Sequence, residues 1–193
     1  MQSRVLISSL LLTLLLQGCA TNQPQKQKYY TKDEYTKLTY CVLLADIVRF
    51  ASFQKLRKKT EAEVMANYKG KKSADISIPL VKKVYKDTFT NSWDYTAKFY
   101  DACGMKVADL TANRVRFAGY CHQNTLIASM ATIFKKLGEP KEKMYEIYKN
   151  LQSKTPIEII DRVYARESDK SNMHADNKLA EWNLCMGEIS EMK

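Results

Sequence analysis

Residues 31–51, TKDEYTKLTYCVLLADIVRFA, contain both the start signal and the apolar face of a long helix. Thr31 and Glu34 have the spacing of a capping box, in which a hydroxyl and a carboxylate accept hydrogen bonds from the free amides of the first turn. Apolar side chains then recur at intervals of three or four residues, at Leu38, Cys41, Val42, Ala45, Val48 and Ala51. This spacing predicts a helix with one buried face.

Similar start, stop and apolar patterns continue to the end of the chain. Only 6 glycines and 4 prolines occur in 193 residues, which favours helices over a turn-rich β fold. After the first helix, we predict a helix from a capping box at Thr60 to a stop at Gly70, one over 77–88 with Pro79 in its first turn, and one over 92–102 with a stop at Gly104. Farther along the chain, we predict helices over 112–138, over 140–149, from a capping box at 155–158, and over 175–191. The expected fold is all-α, with about eight helices, arranged either as two fused four-helix units or as one intermingled bundle.

Five short patterns occur twice, in the same order and at nearly equal intervals. The pairs are Tyr40-Cys41 with Tyr120-Cys121, residues 53–56 with 134–137, Tyr68-Lys69 with Tyr148-Lys149, residues 83–85 with 162–164, and residues 100–103 with 182–185. The successive intervals are 12, 15, 17 and 18 residues in the first copy and 13, 14, 16 and 21 in the second. We interpret residues 29–108 and 109–193 as two helical repeat units that pack together as one domain.

The first twenty residues have the pattern of an export signal. Arg4 is followed by a largely apolar run over 5–16 and then by a small residue before Cys19. This run is much shorter than the roughly 20 residues of a membrane-spanning helix and is typical of a secretory signal peptide. The motif Leu-Gln-Gly-Cys that ends at Cys19 resembles the lipobox of bacterial lipoproteins, from which Gln17 is a departure.

The lipobox resemblance implies a cleaved signal peptide at residues 1–18 and a lipidated Cys19. It also implies a lipid-anchored protein that faces the periplasm of a Gram-negative bacterium. Ala20 stands where an aspartate would signal retention in the inner membrane, so the resemblance points to the outer membrane. Residues 19–28 are mostly small or polar, and we expect them to form a flexible tether between the membrane and the folded part.

Four cysteines follow the leader, and an even number in an exported chain predicts disulfides. If each repeat unit is self-contained, its first cysteine pairs with its last, which gives Cys41–Cys103 and Cys121–Cys185. Each bond would close a loop of about 60 residues and contribute roughly 4 kcal/mol in the chain-entropy model. The alternative pairing, Cys41–Cys121 with Cys103–Cys185, would join the two units.

The chain is basic, with a formal net charge of +10, of which one charge is lost with Arg4. A basic protein can bind nucleic acid, anionic lipid or an acidic protein. The expected compartment makes nucleic acid the least suitable of these partners. The lysines are spread along the chain in groups such as 57–59 and 71–72, which are shorter than a binding tract and also fit solvated helix faces.

The sequence contains no recognisable catalytic, phosphate-binding, dinucleotide-binding or zinc motif. Neither His122 nor His174 has the neighbours of a metal site, and a disulfide at Cys121 would remove the thiol beside His122. We therefore predict no catalytic residues, no metal and no cofactor.

Tyrosine is abundant, with 12 residues in the chain, and it is favoured both at binding surfaces and at the edges of helical cores. The tyrosines that recur in the repeat are assigned to packing: Tyr40, Tyr85, Tyr120 and Tyr164. Tyr29, Tyr30 and Tyr35, near the start of the fold, are the candidates for a partner-binding surface.

The expected compartment, helicity and cysteine placement resemble those of the small disulfide-bonded helical immunity proteins that neutralise periplasmic toxins, here in doubled form. The resemblance implies a non-enzymatic outer-membrane lipoprotein that binds a protein partner in the periplasm, and the basic charge suits an acidic partner. Two other classes stay open. These are a structural or assembly lipoprotein of an envelope secretion or pilus machine, and an enzyme that acts on the cell wall.

Overall fold

The computed structural model describes residues 29–150, 153–167 and 173–190. The predicted signal peptide at 1–18, the lipidation at Cys19 and the tether up to residue 28 lie outside these residues.

Eight α-helices form the secondary structure of the described residues, and no strand occurs among them, so the predicted all-α class is confirmed. The helices are α1 (Lys32–Leu56), α2 (Glu61–Ala66), α3 (Ala74–Lys86), α4 (Ser92–Val107), α5 (Ala112–Lys136), α6 (Lys141–Tyr148), α7 (Thr155–Ala165) and α8 (Met173–Ser190). The capping boxes predicted at Thr31 and Thr60 both form, at the starts of α1 and α2.

The hairpin of α2 and α3 differs from its predicted limits at two points. α2 ends at Ala66 and does not continue to Gly70, which instead adopts a φ of 75° in the following turn, a conformation that glycine tolerates best. α3 begins at Ala74, before the predicted residue 77, so that Pro79 lies inside the helix and not in its first turn. Because Pro79 is exposed, its ring does not disturb the core, although the helix loses one amide hydrogen bond.

The predicted end of α4 at Gly104 is also wrong, since the helix continues to Val107. Gly104 has a packing role instead. A Cβ atom at this position would lie 3.0 Å from Cγ1 of Val115 and 3.3 Å from Cδ2 of Leu38. The missing side chain therefore lets α4 approach both α1 and α5.

The start of α7 differs from the predicted capping box at 155–158. Lys154 is the N-cap and Thr155 is the first helical residue, without a capping hydrogen bond from the N-cap side chain. The amide of Thr155 instead donates to Oγ of Ser153 at 3.2 Å. The last helix, α8, begins at Met173, before the predicted residue 175.

Four long helices, α1, α4, α5 and α8, form a central bundle. α1 packs against α4, α4 against α5, and α5 against α8. Side chains close the bundle between α8 and α1, where Nε1 of Trp182 donates to Oγ1 of Thr39 at 2.9 Å and buried Lys178 pairs with Asp46. The hairpin α2–α3 packs on α1, and the hairpin α6–α7 packs on α5.

The two disulfides are Cys41–Cys103 and Cys121–Cys185, with Cα–Cα distances of 5.8 and 5.5 Å. The first joins α1 to α4 and the second joins α5 to α8, over sequence separations of 62 and 64 residues. These are the pairs that follow from self-contained units. The arrangement of residues 29–108 and 109–193 as two tandem repeat units stays a prediction.

Three aromatic rings meet in the middle of the bundle. Tyr100 and His122 are stacked, with centroids 4.3 Å apart and planes inclined by 7°, and Trp182 lies edge-on to Tyr100 at 6.3 Å. All three side chains are fully buried. Because they come from α4, α5 and α8, these rings hold the two halves together across the bundle axis.

One lysine in each half binds the end of a neighbouring helix. Nζ of Lys55 donates to the carbonyl oxygens of Val84, Tyr85 and Asp87 at 3.1, 2.9 and 2.6 Å. Nζ of Lys135 donates in the same way at 3.2, 3.0 and 2.6 Å, to the carbonyl oxygens of Val163, Tyr164 and Arg166. Each ammonium group thus satisfies the free carbonyl groups at the C-terminus of α3 or α7 and opposes the negative end of that helix dipole.

We expect Lys55→Met and Lys135→Met each to lower the free energy of unfolding by about 2 kcal/mol, because three carbonyl groups lose a charged donor. The matched controls are Lys59→Met and Lys149→Met, which remove exposed lysines from pairs with nearby glutamates and should cost at most about 0.5 kcal/mol. Urea unfolding of the oxidised protein, followed by circular dichroism, measures all four. Equal losses in the four variants would contradict a capping role for Lys55 and Lys135.

Candidate functional site

Of the three tyrosines predicted for partner binding, Tyr30 is turned into the protein. Its side chain is only 5% exposed, and its hydroxyl donates to the carbonyl oxygen of Arg114 at 2.5 Å. Tyr29 is half-buried, with its ring in edge contact with Tyr30 at 5.0 Å and with Phe117 at 5.2 Å. Tyr30 therefore anchors the chain to the start of α5, and Tyr29 presents part of its ring to solvent.

The same end of the bundle is held by a bidentate ion pair. Nη1 and Nη2 of Arg114 donate to Oε1 and Oε2 of Glu34 at 2.7 and 2.8 Å. The hydrogen bond from Arg114 and the amide of Thr31 lower the pKa of Glu34 to about 2, against the effect of burial. Tyr35 is half-buried beside this pair, and its hydroxyl donates to Oδ1 of Asn183 on α8.

The tyrosines that recur in the predicted repeat fall into two groups. Tyr85 and Tyr164 are half-buried and donate to the carbonyl oxygens of Lys59 and Glu139 at 2.7 and 2.8 Å, as expected for packing residues. The packing role predicted for Tyr40 and Tyr120 is wrong, because these side chains are 41% and 51% exposed. Periodicity placed them near the core, but each lies just beyond the edge of the buried face of its helix.

Exposed Tyr120 lines an apolar cleft of about 420 Å³ on the second half of the molecule. The cleft lies between α5, the end of α6 and the start of α7, and α4 contributes one side chain to it. Its aromatic and aliphatic lining is formed by Trp93, Tyr120, Ile127, Met130, Ile147 and Tyr148. We call this feature the Tyr120 cleft.

Local structure holds the lining of the Tyr120 cleft in place. The side chain of Asn91 caps α4 by accepting hydrogen bonds from the amide of Trp93 at 2.8 Å and from Asp94 at 3.2 Å, which fixes Trp93 in the first helical turn. Tyr120 precedes Cys121, whose disulfide holds α5 against α8. A helix cap and a covalent bond thus hold the backbone at Trp93 and beside Tyr120 in place.

A smaller cleft of about 130 Å³ adjoins the Tyr120 cleft and shares Tyr120 with it. Exposed Glu158 and Glu188 line this smaller cleft together with half-exposed Leu184. Neither glutamate forms an ion pair within the described part of the chain. The apolar cleft therefore has an acidic rim, on a chain that is basic as a whole. We call Glu158 and Glu188 the acidic rim.

The floor of the smaller cleft is a buried ion-pair network. Glu181 on α8 is 1% exposed and accepts hydrogen bonds from Arg162 at 2.7 Å and from Arg166 at 2.6 Å. Nδ2 of the neighbouring buried Asn177 donates to Oγ1 of Thr132 on α5 at 3.0 Å. A buried carboxylate with two arginines holds α7 and α8 in a defined position, so the acidic rim is supported by a rigid base.

The two histidines lie in different surroundings. Nε2 of half-buried His174 lies 3.2 Å from Oγ of Ser129. His122 is stacked on Tyr100, and burial, with a further contribution from Arg49, lowers its pKa to about 3. No cluster of three or more potential metal ligands occurs among residues 29–150, 153–167 and 173–190.

Sequence reasoning did not identify the Tyr120 cleft. Trp93, Tyr120 and Ile147 belong to three helices that are far apart in the chain, and nothing in the sequence shows that they share one surface. The spacing of Tyr120, Ile127 and Met130 indicates that they share one helix face, and this was the available signal. Because Tyr120 recurs in the predicted repeat, it was assigned to packing.

Comparison of the chain with protein-family models, with curated proteins and with solved structures finds no match. In the part of the chain that the structure describes, none of the helices combines the length and the apolar character needed to cross a bilayer.

We expect His122→Phe to remove a large part of the loss of stability in acid. The buried imidazole stays neutral in the folded chain because its pKa is about 3, whereas the unfolded chain protonates it near pH 6.5. The stability that depends on neutral His122 is therefore complete above pH 6.5 and is lost as the pH falls toward 3, by about 3 kcal/mol at pH 4. The measurement is the difference in unfolding free energy between variant and wild type from pH 8 to pH 4.

The stacked position favours phenylalanine, which keeps the ring and removes two buried nitrogens that have no hydrogen-bond partner among the described residues. His174→Gln serves as the control, since it changes the half-buried histidine and should preserve most of the decrease in unfolding free energy at acid pH. A His122→Phe profile parallel to that of the wild type would contradict this role of the buried imidazole.

Proposed function

We propose that this protein is an outer-membrane lipoprotein that faces the periplasm and binds a protein partner without catalysing a reaction. The observation that supports the binding function is the Tyr120 cleft, an open apolar surface on a framework held by disulfides. Exposed apolar clefts that contain tryptophan, tyrosine and methionine are characteristic of sites that accept an anchor side chain from another protein.

The expected occupant is a loop or helix of the partner that inserts an aliphatic or aromatic side chain into the cleft. The acidic rim supports a basic side chain next to this anchor, because Glu158 and Glu188 have no ion-pair partner among the described residues. Rigid walls lower the entropy that is lost when the anchor binds. The fixed positions of Trp93 and Tyr120 therefore favour specific binding.

The proposed membrane attachment depends on Cys19, which lies outside the described residues. The position of Tyr29 agrees with this proposal, since contacts with Tyr30 and Phe117 hold the first described residue at one end of the bundle. A tether that enters at this end would leave the Tyr120 cleft accessible from the side.

We propose further that the partner is an envelope-targeted toxin, so that the protein acts as an immunity or inhibitor protein. This assignment comes from the resemblance to small disulfide-bonded helical immunity proteins in expected compartment, helicity and cysteine placement. A structural or assembly lipoprotein of a secretion or pilus machine is the second candidate, because the same cleft would suit a machine component.

The lipid anchor is tested by metabolic labelling of a bacterial host with radioactive or clickable palmitate. We expect the wild-type protein to carry the label and to fractionate with outer membranes. Cys19→Ala should abolish labelling and leave the precursor unprocessed, because the acylated thiol is removed. A processed, unlabelled wild-type protein in the soluble periplasmic fraction would contradict the anchor.

The cleft is tested with a photo-reactive phenylalanine at Tyr120, and the matched control is the same group at Tyr40. Both tyrosines are exposed and precede a disulfide cysteine, but only Tyr120 lines the apolar cleft. We expect a covalent adduct with a periplasmic protein from position 120. The purified partner should bind Tyr120→Ala at least tenfold more weakly and Tyr40→Ala within about twofold of the wild type, as expected when a central aromatic contact is lost.

The identity of the adduct separates the candidate functions. A toxin encoded beside this gene supports the immunity function, and a component of a secretion or pilus machine supports the assembly function. Equal adducts from positions 40 and 120 would contradict the cleft as the binding site. Release of soluble fragments from purified peptidoglycan by the mature protein would overturn the non-enzymatic proposal.

A further inference from the structure

The positive charge is concentrated in one of two corresponding segments. Residues 55–86 contain ten basic and three acidic side chains, whereas the corresponding residues 135–165 contain seven basic and five acidic ones. The first segment therefore has a formal charge of +7 and the second a formal charge of +2. Much of the net charge of the chain lies in the first segment.

The contacts that the two segments share do not account for this excess of charge. Both segments include the end of a long helix and the hairpin that packs on it, α2–α3 in the first half and α6–α7 in the second. The lysine with a structural role is present in both, since Lys55 and Lys135 cap α3 and α7 with closely similar distances. The additional lysines of the first segment therefore lie outside the contacts that the two halves share.

The additional lysines lie on one hairpin and on the helix end that precedes it. Eight lysines of the segment are exposed: Lys58, Lys59, Lys69, Lys71, Lys72, Lys82, Lys83 and Lys86. Two of them pair with carboxylates of the described residues, Lys59 with Glu63 and Lys83 with Asp87, and the other six form no ion pair there. We call the exposed faces of residues 57–59, α2, the turn 67–73 and α3 the basic hairpin surface.

Tertiary contacts join the short lysine groups into this surface. The hydroxyl of Tyr85 donates to the carbonyl oxygen of Lys59 at 2.7 Å, which holds the end of α3 beside residues 57–59. Val64 of α2 and Val81 of α3 share a buried cluster with Val48 of α1. Groups that are ten or more residues apart in the sequence thus lie on neighbouring parts of a single hairpin.

The basic hairpin surface begins at the end of α1 that is farthest from the start of the described chain. α1 has 25 residues and at 1.5 Å per residue spans about 37 Å. Tyr30 lies before its first residue, and Lys58 follows its last turn. In a protein anchored through Cys19, the length of α1 separates this surface from the point where the tether enters, which favours a protein over a lipid as the anionic ligand.

We propose that the basic hairpin surface binds an acidic segment of the protein partner. This inference rests on the proposed function in that it assumes a periplasmic protein partner, but it uses a surface distinct from the Tyr120 cleft. Six unpaired ammonium groups attract an acidic chain over a distance of about one Debye length, which is about 8 Å at physiological salt. The surface therefore speeds encounter and sets orientation, and the Tyr120 cleft supplies the apolar anchor.

The test measures binding of poly-L-glutamate to the chain from Ala20 to Lys193, which lacks only the lipidated cysteine of the mature protein. The variant Lys71→Gln/Lys72→Gln/Lys82→Gln/Lys86→Gln removes four charges from the basic hairpin surface. The matched control Lys136→Gln/Lys143→Gln/Lys149→Gln/Lys154→Gln removes four charges from the second half. We expect at least a tenfold loss of affinity and a weaker salt dependence for the first variant, and less than a threefold loss for the control.

Equal losses in the two variants would overturn the proposal, because they would show a response to net charge alone. Vesicles of phosphatidylethanolamine and phosphatidylglycerol provide a second probe. Binding to these vesicles that requires the four hairpin lysines, without binding of poly-L-glutamate, would assign the surface to a membrane and also overturn the proposal. Tyr120→Ala should bind poly-L-glutamate like the wild type, so failure of this inference and failure of the cleft proposal can be told apart.

Discussion

The structure depends on the covalent pairing of its four long helices. Cys41–Cys103 holds α1 to α4, and Cys121–Cys185 holds α5 to α8. Because each disulfide lies within one half, the contact between the halves depends on noncovalent packing around Tyr100, His122 and Trp182. The disulfides limit the conformational entropy of each half in the unfolded chain, and the aromatic centre packs the two disulfide-bonded helix pairs against each other.

The two halves use the same structural contacts and present different surfaces. Lys55 and Lys135 cap corresponding helices, and Tyr85 and Tyr164 bind corresponding carbonyl groups. Beyond these shared contacts, the first half has a concentration of lysines that form no ion pair with the described residues, and the second has an apolar cleft with an acidic rim. This division supports the proposal that an acidic segment and an apolar anchor of one partner bind at separate places on one framework.

Buried polar groups give the bundle its defined geometry. Glu181 pairs with two arginines below the acidic rim, and Lys178 pairs with Asp46 between α8 and α1. Burial lowers the pKa of Lys178 to about 8, and it keeps His122 neutral well below pH 6.5. Since charged groups are costly to bury without partners, α8 has few alternative positions in the bundle.

The sequence by itself determined the elements that depend on local physics. The capping boxes at Thr31 and Thr60 start helices because they satisfy free amide groups within one turn. The all-α class follows from apolar periodicity, and the pattern of the two halves led to the cysteine pairs. The rule that a glycine ends a helix gave a wrong prediction at Gly104. The absence of a side chain there allows close contact with Val115, and the helix continues.

Only the tertiary structure decided which side chains are available to a partner. Burial of Tyr30 depends on Arg114, which is distant in the chain, and exposure of Tyr120 depends on where α7 and α8 pack. The Tyr120 cleft and the basic hairpin surface are formed by side chains from several helices. Periodicity describes one helix at a time, whereas a surface exists only after the helices have packed against one another.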